Sequence, residues 1–148
     1  MRPSDALVEF VARQEGFRAE AYKPLPTDRY TIGYGLTFYS NGQPVEKGDS
    51  ITEIAAKSEL EVVLIQVAKD LGEVDCSQQQ FDAVLSLCYN IGVPLFKRSA
   101  TGKLFSAGAN ISNRFGLYVL SGGKQIEGLV NRRRKERAIY ESGNYFAE

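Results

Sequence analysis

Residues 13–35 read RQEGFRAEAYKPLPTDRYTIGYG, and within them a helix ends and a sheet begins. Upstream, Ser4 stands where an N-cap would, and Leu7, Val8, Phe10, Val11 and Ala12 form the apolar side of a short amphipathic helix over residues 4–15. Gly16 closes that helix as a C′ residue, which leaves Glu15 in its last turn. Downstream, Pro24, Pro26, Gly33, Gly35, Gly42 and Pro44 exclude a helix, while Tyr30-Thr31-Ile32 and Thr37-Phe38-Tyr39 are β-type segments. Asn41-Gly42 is a hairpin signal, so residues 20–46 read as a small antiparallel sheet.

The rest of the chain is mainly helical. Thr52 caps a long segment to about Lys69, with Ile54, Ala55, Leu60, Val63, Leu64 and Val67 at helical spacing. Phe81, Val84, Leu85 and Cys88 mark the face of a second helix that stops near Gly92-Val93-Pro94. Short helices are expected around 95–107 and 110–120, separated by Gly108, then a flexible turn at Ser121-Gly122-Gly123. A last helix runs from about 127 to 141, with Leu129, Val130, Ala138 and Ile139 as its apolar positions. Without repeats or a low-complexity linker, the 148 residues suit one α+β domain, since a chain of this size hides roughly 70% of its unfolded surface.

Composition narrows the chemistry. The chain is 43% hydrophobic and 24% charged, as in ordinary globular proteins, and no apolar run approaches the ~20 residues that span a bilayer. Asp5, Glu9 and Arg13 interrupt the first apolar stretch, so no secretory signal is expected there and release from a cell would need another agent. Cys76 and Cys88 lack CxxC spacing and are expected to be free thiols in a reducing compartment. There are no histidines, which removes Ser-His-Asp and Cys-His nucleophile systems and the usual His-rich catalytic zinc sites. Any enzymatic chemistry must rest on carboxylates, hydroxyls, Lys, Tyr or Cys, and no cofactor or metal is expected. Residues 1–75 hold 8 basic and 13 acidic groups and residues 76–148 hold 10 and 5, so the C-terminal half is the one suited to an anionic partner.

A glutamate at a helix C-terminus faces the negative end of the helix dipole, and partial burial in a cleft acts the same way; both disfavour its ionised form. That suits Glu15 to general-acid work at neutral pH. An acid that protonates a glycosidic oxygen needs a partner on the other face of the sugar, and a turn after Pro24 and Pro26 can bring Asp28 back over the helix end. Thr31 can hold a water without competing for the proton. On spacing alone the trio competes with a plainer reading: a helix-end glutamate, a turn aspartate and a strand threonine.

Beyond spacing, EGFRAEAY, TIGYGLT, GQPVEKGDSIT, QQQFDAVLSLCYNIG and GLVNRRRKERAIY follow one another in the order of the blocks of phage-type lysozymes, the endolysins of glycoside hydrolase family 24, which this sequence resembles over most of its length. The resemblance implies a lysozyme-like fold: a sheet lobe at about 16–50 and a helical lobe at about 70–148, joined by a long helix with the active-site cleft between them. It implies cleavage of the β-1,4 bond between N-acetylmuramic acid and N-acetylglucosamine in peptidoglycan. Glu15 matches the family's acid before glycine and Thr31 the threonine that opens TIGYG. The family's spacing would place aspartate at 24 and threonine at 30, where this chain has Pro24 and Tyr30; the loop is one residue longer and its aspartate is Asp28. Leu36 stands where many relatives carry histidine.

Three further features have two readings each. Asn90 either hydrogen-bonds a sugar N-acetyl group or caps its helix; Tyr34 and Tyr39 either stack on sugar rings or pack the sheet. Arg132, Arg133, Arg134, Lys135 and Arg137 either attract an anionic partner or form a solvated face, and no nucleic-acid motif accompanies them. Two alternatives to a hydrolase stay open: a lytic transglycosylase acting on the same bond, and a non-catalytic peptidoglycan-binding domain. The family further implies a monomer, not membrane-embedded, that accumulates in the host cytoplasm and reaches the peptidoglycan layer of the periplasm through a holin-type pore.

Overall fold

The Ser4 hydroxyl accepts a hydrogen bond from the Leu7 N–H and starts α1 (Asp5–Glu15) in the computed structural model, which describes residues 1–148. Leu7, Val8, Phe10, Val11 and Ala12 are all buried, as the periodicity requires. Gly16, at φ 73°, donates its N–H to the Ala12 carbonyl and turns the chain out of the helix.

The chain then enters a strand that the sequence reading leaves out. β1 (Arg18–Tyr22) pairs antiparallel with β2 (Thr31–Gly33), Arg18 opposite Gly33 and Tyr22 opposite Thr31. RAEAY contains little of the β-branched character that marks strands, and it is held on both edges: Ala21 donates to the Asp49 carbonyl, and Ile51 donates to that of Ala19. The hairpin expected at Asn41-Gly42 is present, with Phe38 bridged to Pro44 and Gly42 at φ 88°. Ile32, Leu36 and Val45 form a small core within this lobe.

α2 (Glu53–Leu71) begins at the expected cap, where the Thr52 hydroxyl accepts from the Ala55 N–H. Its inward face is Ala56, Leu60, Leu64, Ala68 and Leu71, whereas Ile54 is 83% exposed and Ala55 is also outside. The periodicity names the correct helix but the wrong residues in its first turn.

α3 (Gln78–Ile91) opens with a reciprocal cap in which Ser77 and Gln80 satisfy each other's backbone N–H groups. Every residue from Phe81 to Cys88 is buried, not only the predicted face, because α1, α2, α4 (Val93–Arg98) and α6 (Glu127–Ser142) pack around it. A helix surrounded this way needs its polar groups satisfied. Asp82 receives hydrogen bonds from Ser4, Gln78 and Tyr145, which ties both ends of the chain to the central helix. Ser86, one turn on, faces α6.

α5 (Ala100–Ser106) and a 3-10 turn (Ser112–Leu117) complete the helical lobe. The expected turn at residues 121–123 is the tip of a two-residue hairpin, β3 (Leu120–Ser121) with β4 (Lys124–Gln125). A continuous apolar core reaches from Leu7 to Tyr140 and includes Tyr34, so the sheet lobe is docked on the helical one through that ring. No helix is long and apolar enough to cross a membrane. Cys88 is buried, Cys76 half-buried, and both thiols are free.

Candidate active site

Glu15 is the last residue of α1, and the turn at Gly16 leaves its side chain at the junction of the two lobes with 23% exposure. Its Oε1 accepts from Arg132 Nη1 at 2.7 Å. Arg132, on α6, is 8% exposed and also donates through Nε to Glu136 Oε1 at 3.2 Å. The helix-end acid expected from the sequence therefore has a counter-charge that comes from the far end of the chain.

On the other side of Glu15 stands Gly35, at φ 79°; a Cβ there would lie 3.4 Å from Glu15 Oε2 and 3.7 Å from the Tyr89 hydroxyl. Glycine is needed there for the backbone conformation, while a methyl group would only come into ordinary contact with the acid. Tyr89 donates its hydroxyl to the Tyr34 carbonyl at 3.0 Å. Burial, and then the charge of Glu15, push the Tyr89 phenol up, so it stays a neutral donor.

These groups open into a cleft of about 460 Å³ lined by Glu15, Gly35, Leu36, Thr37, Phe38, Val63, Tyr89 and Asn90. Glu15 is its only carboxylate. A larger cavity, about 620 Å³ between residues 1–3 and the end of α2, contains none of the candidate residues.

Asn90 is exposed at the cleft wall, while the helix end is closed by the Gly92 N–H donating to Cys88; the capping alternative for Asn90 is not used. Neither tyrosine expected at the substrate lines this cleft. Tyr34 is 6% exposed, packs edge-on against Phe17 and donates to Glu53 at 3.0 Å, so its ring belongs to the core and presents no face to a ligand. Tyr39 donates to Asp49 at 2.8 Å and packs on the small sheet core; burial, with that hydrogen bond second, pushes its phenol up to about 12. The exposed aromatic in the cleft, beside the half-buried Tyr89, is Phe38, 44% exposed, with the Arg29 guanidinium 5.1 Å from its ring centre. Phe38 forms a single bridge with Pro44 and stays exposed, while Tyr39 turns its hydroxyl to Asp49.

Asp28 and Thr31 are close in sequence to the cleft-forming segment but do not line the cleft. Asp28 Oδ2 accepts from the Leu25 N–H at 2.9 Å, and its own N–H donates to the Leu25 carbonyl, so the residue closes the PLPTD turn. Thr31 is buried as the first residue of β2 and donates its hydroxyl to the Arg29 carbonyl at 3.2 Å.

The basic run on α6 is not a uniformly solvated face. Arg132 and Arg133 point inward around Glu136, whereas Arg134 and Arg137 are outside. Glu136, three and four residues beyond the two inward arginines, pairs with both, but the exposed Arg137–Glu141 pair on the same helix has an i,i+4 spacing too, so the sequence alone does not mark the run as internal.

The description "Phage lysozyme" belongs to the family model that matches residues 12–136. The endolysin of Bacillus phage PZA is 35% identical over 150 residues, covering 97% of this chain and 56% of that protein. The endolysin of Acyrthosiphon pisum secondary endosymbiont phage 1 is 33% identical over 151 residues, covering 96% of this chain and 99% of its own length. Among solved structures, the endolysin from Escherichia coli O157:H7 phage FAHEc1 superposes with a TM-score of 0.86 at 29% identity, covering 99% of this chain and 98% of that one. Against the Bacillus phage relatives, the chain spans about half of their length.

Proposed function

Because the chain belongs to the phage lysozyme family, we propose that it is a muramidase that hydrolyses the β-1,4 bond between N-acetylmuramic acid and N-acetylglucosamine in peptidoglycan. One observation carries this reading: a single carboxylate, Glu15, opens into a cleft between a sheet lobe and a helical lobe. In this reading Glu15 protonates the leaving oxygen as the sugar–oxygen bond breaks, and a water attacks the anomeric carbon from the opposite face. Asp28 and Thr31 stand outside the cleft lining; in this reading substrate binding brings the free oxygen of Asp28, whose Oδ2 is taken by Leu25, to that water, with Thr31 helping to place it. An inverting pair of this kind requires carboxyl groups roughly 6.5–9.5 Å apart in the substrate complex.

Digestion of purified sacculi followed by mass spectrometry tests the reaction. Reducing N-acetylmuramic ends are expected; 1,6-anhydro ends would mean that the sugar's own hydroxyl attacks and that no second carboxylate is used. The same assay on Asp28→Asn isolates the charge from the turn, since asparagine can still accept from the Leu25 N–H. A loss of about a hundredfold in kcat is expected, and activity equal to wild type would remove Asp28 from the mechanism.

Asn90 and Phe38 complete the substrate contacts in this reading, Asn90 with the N-acetyl amide and Phe38 with a sugar face. Phe38→Ala should raise KM about fivefold, roughly 1 kcal/mol of aromatic contact, with the melting temperature unchanged. A drop in melting temperature with KM intact would assign Phe38 to packing instead.

The biological setting proposed is that of an endolysin: a monomer held in the host cytoplasm and released through a holin-type pore to the peptidoglycan layer, where its action lyses the cell. Muramidase activity outside intact cells in the absence of any pore-forming partner would contradict that route.

A further inference from the structure

Arg132, Arg133 and Glu136 occupy one turn of α6, and Ser86 of α3 closes the group from the opposite side. Three donors converge on Glu136 Oε1: Ser86 Oγ at 2.6 Å, Arg133 Nη2 at 2.9 Å and Arg132 Nε at 3.2 Å. Arg133 Nε stands 2.7 Å from Oε2, out of line for a hydrogen bond. Burial pushes this carboxyl up against the pull of Arg133 and Arg132, yet all four contacts come from donors, an arrangement that suits the carboxylate. Arg132 thus lies between two acids, with Nε on Glu136 and Nη1 on Glu15.

A guanidinium is a rigid planar fork, so fixing Nε also fixes the direction in which Nη1 donates. A guanidinium at 2.7 Å with no other acid beside it would strongly favour the carboxylate form of its partner. An acid that has to carry a proton to its substrate is poorly served by such a neighbour. Resting on the muramidase reading of Glu15, we propose that Glu136 is a positioning residue for that acid: it aims Arg132 and takes up part of its charge, so that Arg132 orients the Glu15 carboxyl without locking it ionised.

The groups facing Glu15 are few. Arg132 approaches from α6 with Arg133 and Glu136 behind it, the neutral Tyr89 hydroxyl comes from α3, and the sheet lobe contributes the backbone at Gly35. The balance at Glu15 therefore depends on how Arg132 is shared.

The test is a carbon-13 NMR titration of the Glu15 carboxyl in the full chain, wild type against Glu136→Gln, with the pH profile of kcat/KM beside it. Glutamine keeps an acceptor oxygen for Arg132 Nε and removes the charge. The Glu15 midpoint is expected to fall by about one pH unit. The alkaline limb of the profile should move with it, leaving about tenfold less activity above the limb. Glu136→Asp should restore most of the shift. Should the glutamine variant fail to fold, Ser86→Ala decides: without that hydroxyl, Glu136 draws Arg132 harder and the Glu15 midpoint rises. A midpoint that stays in place in a folded variant, with only the melting temperature lowered, would overturn the proposal. A midpoint that moves in a chain inactive on sacculi would sink the muramidase reading and leave the link between Glu136 and Glu15 standing.

Discussion

Glu15→Gln is expected to lower kcat on peptidoglycan about a thousandfold, within the range that a positioned general acid contributes, while the protein unfolds within a few degrees of wild type. Glutamine is nearly isosteric, and its carbonyl oxygen can still accept from Arg132 Nη1, so the floor of the cleft keeps its shape. What disappears is the transferable proton. Because Glu15 is the only carboxylate lining the cleft, no neighbour is placed to substitute for it. Clearing of outer-membrane-stripped cells, followed by turbidity, measures the rate, and circular dichroism melting checks the fold. A variant that keeps more than about a tenth of wild-type activity would be far outside the range for a lost general acid and would remove Glu15 from that role. Inactivity of the wild type itself, with binding to sacculi retained, would favour a lysozyme-like domain that binds without cutting.

The largest expected loss of stability lies behind the cleft. Arg133 is 1% exposed and heads the fully buried side chains by size, and its partner Glu136 is 0% exposed. Arg133→Ala empties that volume and leaves Glu136 with one guanidinium instead of two. Removing one partner of a buried ion pair costs about 3–5 kcal/mol, and for a chain of this size each kcal/mol is worth about 2–4 °C. A fall of about 10 °C in melting temperature follows. Arg133→Met separates the two causes, since it restores volume without charge; recovery of most of the loss would assign the effect to packing. Arg133→Lys should recover little, because one ammonium cannot reproduce the fork that reaches both oxygens of Glu136. A melting temperature for Arg133→Ala within 2 °C or so of wild type would show that the inward pair contributes almost nothing.

Much of this architecture is legible along the chain because its signals are local. Ser4, Thr52 and Ser77 each cap the helix they precede, and Gly16, Gly72 and Gly92 each follow the last residue of one, all within a few residues of the boundary they set. Where the reading slipped, the missing information was not local. RAEAY forms a strand although its composition argues against it, because partners on both sides supply the hydrogen bonds. Ile54 is apolar and in phase with the helix, yet the chain covers the Ala56 side of that first turn and leaves the Ile54 side open. Tyr34 and Tyr39 look like carbohydrate platforms by residue type, but the folded lobe puts Phe38 in the cleft and gives both tyrosine hydroxyls to carboxylates elsewhere.

By itself, the sequence determined the order of the main helices, the hairpin at Asn41-Gly42 and the helix-end placement of Glu15 before a glycine, through signals spanning a few residues, and its composition removed histidine chemistry. Only the tertiary structure decided what surrounds that acid. Arg132 reaches Glu15 across 117 residues of chain, Glu136 is buried between two arginines, and Asp28 closes its own turn outside the cleft lining. Such pairings depend on which surfaces lose water together when α6 docks on α3, and a periodic pattern records only that a face is apolar. Charges are buried where a specific partner meets them, and that partner is fixed by the fold.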